Sequence, residues 1–153
     1  MRKKELEITD QKIIDQIIAN STFCHMALSD GNQPYIVPVN FGRKENSIYI
    51  HAAYEGRKID ILKKNNNVCL LFEVEQELEN KGKEACKWGT KYRSVMGFGK
   101  AYLVTDDLEK RKGLVALMTQ YYDGEIELNK KSTDRCLIIR VDIDSFTGKS
   151  SGY

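Results

Sequence analysis

The 153 residues, a mass of 17.6 kDa, suit a single domain that folding buries by roughly 69 % of its open-chain surface, enough for a core without staples. With 41 % hydrophobic and 30 % charged residues the composition argues against disorder, and 24 basic against 22 acidic residues, a net charge of +2, argues against nucleic acid as a partner. The longest apolar run, Val68 to Phe72, is far short of the ~20 residues of a bilayer span, and Met1 to Asp10 lacks the apolar core of a signal peptide, so a soluble cytoplasmic protein without a membrane partner is expected.

The first element expected is a helix from about Asp10 to Asn20, capped by Thr9, with Ile13, Ile14, Ile17 and Ile18 as its apolar stripe. The period then changes to two. Thr22–Ser29 and Pro34–Phe41 read as two strands around the turn residues Asp30-Gly31. Gly42–Asn46 reads as a turn and Ser47–Ala52 as a third strand. A short helix from about Arg57 to Lys64 offers Ile59, Ile61 and Leu62 to the core, and Asn65-Asn66-Asn67 ends it. Val68–Glu75 is the fourth strand and Glu77–Gly89 a solvated polar loop. Thr90–Val104 is a long fifth strand whose Gly97 and Gly99 signal a bulge, a bend or a close backbone approach. A second long helix follows to about Tyr122, capped by Thr105, with Leu114, Leu117, Met118 and Tyr121 as its apolar face. The last strand is Arg135–Phe146. Six strands with hairpin-length links predict a mainly β fold with flanking helices, an antiparallel β-barrel rather than a doubly wound sheet. Residues 1–149 form the single domain, and 150–153 are expected as a flexible C-terminal tail.

The chain carries no complete nucleotide or hydrolase motif. Gly148-Lys149-Ser150 ends like a phosphate-binding loop, but the glycine it needs at 143 is Ile143. Gly97-Phe98-Gly99 lacks the third glycine of a dinucleotide fingerprint, because that position is Tyr102. Cys24, Cys69, Cys86 and Cys136 form no CxxC pair and only His25 and His51 accompany them, so no metal site is expected. Cys24, Cys69 and Cys136 read as small buried hydrophobes, Cys86 as exposed. With no nucleophile–base pair in view, a cofactor is expected to carry any chemistry.

Three segments stand out. In His51-Ala52-Ala53-Tyr54-Glu55-Gly56-Arg57-Lys58 a strand ends, a glycine turns the backbone and two cations open a helix. Cations there oppose the helix dipole unless a bound phosphate reverses the sign. The competing reading makes them solvated residues offset by Glu55. In Pro34-Tyr35-Ile36-Val37-Pro38-Val39-Asn40-Phe41 both prolines of the chain fall in one strand. That strand must be an edge or carry a bulge, and it either offers the backbone of Val39 and Asn40 to a flat polar ring or is an edge shielded from aggregation. In Tyr92-Arg93-Ser94-Val95-Met96 alternation puts Tyr92, Ser94 and Met96 on one face and Lys91 and Arg93 on the other. If the first face is the core, Ser94 needs a phosphate oxygen, a ring carbonyl or a backbone carbonyl as partner.

Taken in order, these segments, with Ile48-Tyr49-Ile50-His51-Ala52-Ala53, Gly97-Phe98-Gly99 and Thr147-Gly148-Lys149, resemble the pyridoxamine 5'-phosphate oxidase-like FMN-binding split barrels, and within them the nitroimidazole-resistance-type branch. The likeness runs from about Ile8 to Lys149. It implies a six-stranded antiparallel split β-barrel and FMN in a cleft between the two subunits of a homodimer. It assigns Arg57 or Lys58, with Arg93, Ser94 and Val95, to the phosphate. Pro38, Val39 and Asn40 line the isoalloxazine, and His51, Ala52 and Ala53 lie by the ribityl chain or ring edge. His51 is then the proton-donor candidate, imidazole being the side chain that exchanges protons near neutral pH. The function implied is an FMN-dependent oxidoreductase that reduces a small acceptor in the manner of a nitroreductase. The alternatives are a flavin carrier without turnover, or the same barrel holding a deazaflavin or haem. The chain lacks the C-terminal substrate-binding segment of true pyridoxamine-phosphate oxidases, which disfavours oxidation of vitamin B6.

Overall fold

The computed structural model describes residues 3–80, 82–129 and 133–153. A short strand β1 (Glu7–Ile8) precedes helix α1 (Gln11–Asn20). Strands β2 (Cys24–Asp30), β3 (Gln33–Val39), β4 (Gly42–Lys44) and β5 (Ser47–Ala52) lead to helix α2 (Arg57–Lys64). The long strands β6 (Asn67–Glu79) and β7 (Gly89–Val104) follow, then helix α3 (Asp107–Thr119) and strand β8 (Leu137–Ser151). All strand pairings among the described residues are antiparallel, in the spatial order β3-β2-β6-β7-β8-β5-β4, with β1 added on β8. The sheet curls without β3 pairing to β4, which makes it the split barrel that the sequence implies. It has two short strands more than expected: β1, and β4 where a turn is predicted.

The barrel interior is built by alternation. Met26, Leu28, Ile48, Ile50, Leu70, Phe72, Val95, Ile139 and Val141 point inward and are buried. Helices α1 and α2 plug this interior with Ile14, Ile17 and Ile18 and with Ile59, Ile61 and Leu62. Ile13 lies outside the buried stripe. Asp10 rather than Thr9 caps α1, accepting from the Lys12 N–H at 2.8 Å. Asp106 rather than Thr105 caps α3, accepting from the Glu109 N–H at 2.8 Å. In both pairs the carboxylate sits one residue nearer the helix and takes the free N–H group.

Helix α3 covers the outside of β4, β5 and β8 with a face of Lys110, Gly113, Ala116 and Leu117. The expected face is corrected here: Met118 and Tyr121 are exposed and Leu114 is half-buried. Small residues are selected because the helix lies almost on the strand backbone. A Cβ on Gly42 would stand 2.2 Å from the Ala116 carbonyl carbon. Gly42→Ala should therefore push α3 off the sheet and destabilise the fold by about 1–3 kcal/mol, the usual range for overpacking. Urea denaturation checks this.

The β6–β7 hairpin reaches past the barrel, and this corrects two expectations. Glu77, Leu78 and Glu79 pair with Lys91, Thr90 and Gly89, so both ends of the polar segment expected as a loop are strand, entered through an irregularity between Val74 and Glu77. Ser150 and Ser151 pair with Arg93 and Tyr92, and the Tyr153 hydroxyl donates to the Glu75 carbonyl at 2.7 Å. The segment expected as a tail is thus laid against this hairpin, with the Tyr153 ring under Arg93 at 5.0 Å. Charged pairs Glu75–Arg93 at 3.1 Å and Glu77–Lys91 at 3.8 Å replace the apolar alternation that marks the strands inside the barrel. The Gly97/Gly99 signal holds: β7 shifts register against β8 between Phe98 and Gly99.

Candidate functional site

Two of the sequence segments, 34–41 and 51–58, meet at the open side of the barrel, where Arg57 stacks on Tyr35. Strand β3 is the edge of the sheet, as its prolines require; Pro34 and Pro38 are exposed and pair with Ser29 and His25 of β2 alone. Val39 is buried and Asn40 exposed. The chain beyond is pinned by Tyr121, whose hydroxyl accepts from the Phe41 N–H at 3.0 Å and also bonds the Asn40 side chain. Burial pushes the Tyr121 phenol up, which keeps it a neutral donor and acceptor.

Gly56 supplies the turn from β5 into α2. Its φ of 121° and ψ of 164° suit only a residue without a Cβ, and it accepts from the Ile59 and Asp60 N–H groups while offering no side-chain cap. The N–H groups of Arg57 and Lys58 open this helix with no capping side chain. The two cations differ. Arg57 is exposed, stacks over the Tyr35 ring at 4.9 Å and reaches Asp30 at 4.0 Å. Lys58 lies three and four residues before buried Ile61 and Leu62, so it shares the face packed on the barrel. It is half-buried, has no hydrogen bond or ion pair among the described residues, and desolvation holds its ammonium below the usual lysine range. A desolvated cation without a counter-ion beside free helix N–H groups is a place for an anion.

Ala52 is buried and Ala53 exposed at the end of β5. His51 is exposed on the face of β5 that also carries Tyr49, and its imidazole makes no hydrogen bond or ion pair among the described residues. The Tyr49 hydroxyl donates to Glu109 at 2.6 Å; burial and this bond push the phenol up, and the same bond holds the Glu109 carboxyl down. This anchors α3 beside His51 without orienting it.

The β7 residues lie elsewhere. Val95 is in the core, so the inward face is that of Arg93, Val95 and Gly97; Tyr92, Ser94 and Met96 face outward. The conditional reading of Ser94 as a buried hydroxyl is thereby set aside. Ser94 is half-buried and its hydroxyl has no partner among the described residues. Arg93 is engaged with Glu75 and Tyr153. Two strands separate β7 from β3, about 14 Å at ordinary strand spacing. Along the strands Ser94 is level with Glu73, whereas Tyr35, under Arg57, is level with Leu28. Within one chain the Arg93–Val95 group and the Arg57–Lys58 group therefore stand apart.

The same registers expose what the sequence reading missed. Ile36, Ala27, Cys69 and Phe98 run straight across four strands, and Pro38, His25, Leu71 and Met96 form the adjacent row. Both rows face outward. Ile36 is 60 % exposed, Phe98 44 % and Met96 41 %. No helix covers them: α3 lies over β4, β5 and β8. Such an apolar sheet face marks an interaction surface. The accessible surface, 9789 Å², also exceeds the about 7,900 Å² of a compact monomer of this mass.

The sequence profile of the pyridoxamine 5'-phosphate oxidase family matches residues 10–150. The chain belongs to this family. Among solved structures, a candidate 5-nitroimidazole antibiotic resistance protein from Bacteroides thetaiotaomicron is 31 % identical with a TM-score of 0.84, the match covering 95 % of this chain and 86 % of that one. A flavocytochrome from Azotobacter vinelandii matches at 21 % identity and TM-score 0.84 over 100 % of this chain and 72 % of its own. A FAD and haem binding protein from Mycobacterium smegmatis matches at 20 % and 0.84 over 96 % and 74 %. These two establish the shared fold. A search of curated proteins finds no match. Among the described residues no helix is long and apolar enough to cross a membrane.

Proposed function

We propose that the protein is a homodimeric FMN-binding oxidoreductase that reduces a small acceptor. The observation that carries this reading is Lys58: a half-buried cation with no partner, at the uncapped start of α2. One phosphate satisfies both the ammonium and the helix N–H groups. Arg57, already held by Tyr35 and Asp30, stands at the rim. Pro38 and Val39 of β3, an edge without a second neighbouring strand among the described residues, and the adjoining Asn40 would line the flavin ring. The flavin and haem proteins of this fold support the cofactor class, and the one-cation grip favours FMN over FAD. The bound flavin supplies the transferable electrons; the chain supplies orientation, exclusion of water and charge.

The dimer follows from the uncovered apolar rows and from the distance between the two groups of site residues. A two-fold contact over the β3–β2–β6–β7 face would set the outward-facing Ser94 of one subunit against the open side of the other. Ala52 and Ala53 keep the end of β5 narrow beside the ribityl chain. His51 is the proton donor in this reading, and His51→Ala should slow reoxidation of the reduced protein roughly ten-fold or more. Nitroaromatic reduction is the acceptor chemistry suggested by the Bacteroides relative.

Titration of micromolar protein with FMN should quench flavin fluorescence at one FMN per subunit, with FAD weaker. Chemically reduced, anaerobic protein should then be reoxidised by a nitroimidazole or quinone faster than an equal concentration of free reduced FMN. Absent quenching by an intact fold removes the flavin reading. Equal rates for bound and free flavin across several acceptors leave a flavin carrier.

A further inference from the structure

His25 is used neither by the phosphate grip nor by the ring-lining segment, yet it stands beside the latter. It is the cross-strand partner of Pro38 and lies on the outward face of β2. Its Nδ1 is 3.9 Å from Glu73 Oε2, and both side chains are 35 % exposed. The Phe23 ring meets the imidazole edge-on, with centroids 5.3 Å apart and planes at 78°. With Thr22 and Gln76 these residues line a cavity of about 340 Å³, at the small end of the range for small-molecule sites.

The lining has a definite chemistry. Phe23 offers an apolar ring, and His25, Thr22 and Gln76 offer hydrogen-bond donors. Glu73 is the only acidic residue in the lining, and no lysine or arginine joins it there. The nearby cations are otherwise engaged: Arg93 with Glu75, and Lys149 with the Tyr92 hydroxyl. An anion entering the cavity would meet an uncompensated carboxylate. A neutral ring with a nitro or carbonyl oxygen would stack on Phe23 and accept from the imidazole.

We propose that this cavity is the acceptor subsite, that it takes small neutral nitroaromatics or quinones, and that Glu73 rejects their acidic analogues. The assignment rests on the flavoprotein reading above, because an acceptor must reach the ring that Pro38 lines. Selectivity by an opposing like charge is a recurrent device of binding sites. Glu73 Oε2 lies 3.9 Å from the Nδ1 of the imidazole that would donate to the acceptor oxygen.

The test uses the FMN-loaded protein and two probes of equal size, 4-nitrobenzyl alcohol and 4-nitrobenzoate, read by imidazole resonances in heteronuclear NMR. The alcohol should shift the His25 signals saturably, and the benzoate should bind at least ten-fold more weakly. Phe23→Ala should weaken the alcohol about ten-fold. Glu73→Gln should bring the benzoate to within about three-fold of the alcohol, a gain that misfolding cannot imitate. If FMN does not bind, the flavoprotein reading fails first and the subsite falls with it. If FMN binds and the alcohol leaves His25 unmoved, or Glu73→Gln leaves the discrimination intact, the subsite is overturned while the flavoprotein stands.

Discussion

Replacing Lys58 by methionine should weaken FMN binding by about 1.5–3 kcal/mol, the worth of a charge-assisted hydrogen bond, or roughly ten- to a hundred-fold in Kd. Riboflavin, which lacks the phosphate, should bind the variant and the parent almost equally. The apo-protein should respond in the opposite sense. Desolvation lowers the Lys58 ammonium, so the folded state disfavours its charged form. That penalty is present wherever the lysine is charged when folded, which includes neutral pH, and it fades as pH rises through the lowered folded value. Methionine keeps the apolar stem and removes the charge. Thermal unfolding without ligand should therefore occur at a higher temperature in Lys58→Met, and added FMN should raise it less than in the parent. A variant that loses riboflavin and FMN alike, and melts lower without ligand, would make Lys58 a packing residue.

A double substitution on the bare sheet face should have the larger effect. Met96→Glu with Phe98→Glu places two carboxylates at the β7 end of the adjoining apolar rows. Both side chains face away from the barrel core and are substantially exposed, so the subunit should still fold. A dimer across this face would bury four carboxylates, and like charges in a dry contact are strongly unfavourable. A stable contact of this kind buries upwards of ~1,000 Å² in total. The variant should be monomeric by light scattering. It should bind FMN at least a hundred-fold more weakly, because Ser94 no longer reaches the partner's open side. A monomer that keeps parental affinity for FMN would show that one chain holds the whole site.

The sequence was most informative where local chemistry decides local structure. The span Arg57–Lys64 of α2 follows from a glycine before it, an apolar triplet within it and asparagines after it. The edge position of β3 follows from Pro34 and Pro38, which cannot join a ladder on both sides. Facing was harder. In β7 the outward residues Tyr92, Met96 and Phe98 are larger and more apolar than the inward Gly97, Gly99 and Ala101. The inward positions must be small because β8 fills the space: a Cβ on Gly97 would stand 3.0 Å from Phe146 and 3.2 Å from Ile143. Alternation alone reads that pattern backwards. Helix α3 misleads for the same reason, since its close approach to Gly42 and Tyr49 selects Gly113 and Ala116 over Met118 and Tyr121. The outer half of the β6–β7 hairpin lies beyond the core, so charge pairing replaces apolar periodicity and a strand looks like a loop. His25 carried no local signal. Its place beside Pro38 and Glu73 is a product of register across three strands.

In the proposed dimer each subunit's FMN is held between the two copies of the chain. Sedimentation velocity followed at the flavin absorbance addresses both halves at once. With protein in excess over added FMN, the flavin should move as a single boundary at twice the 17.6 kDa subunit mass, with one FMN per subunit at saturation. Flavin that stays unsedimented, or that moves with a 17.6 kDa monomer, would contradict it.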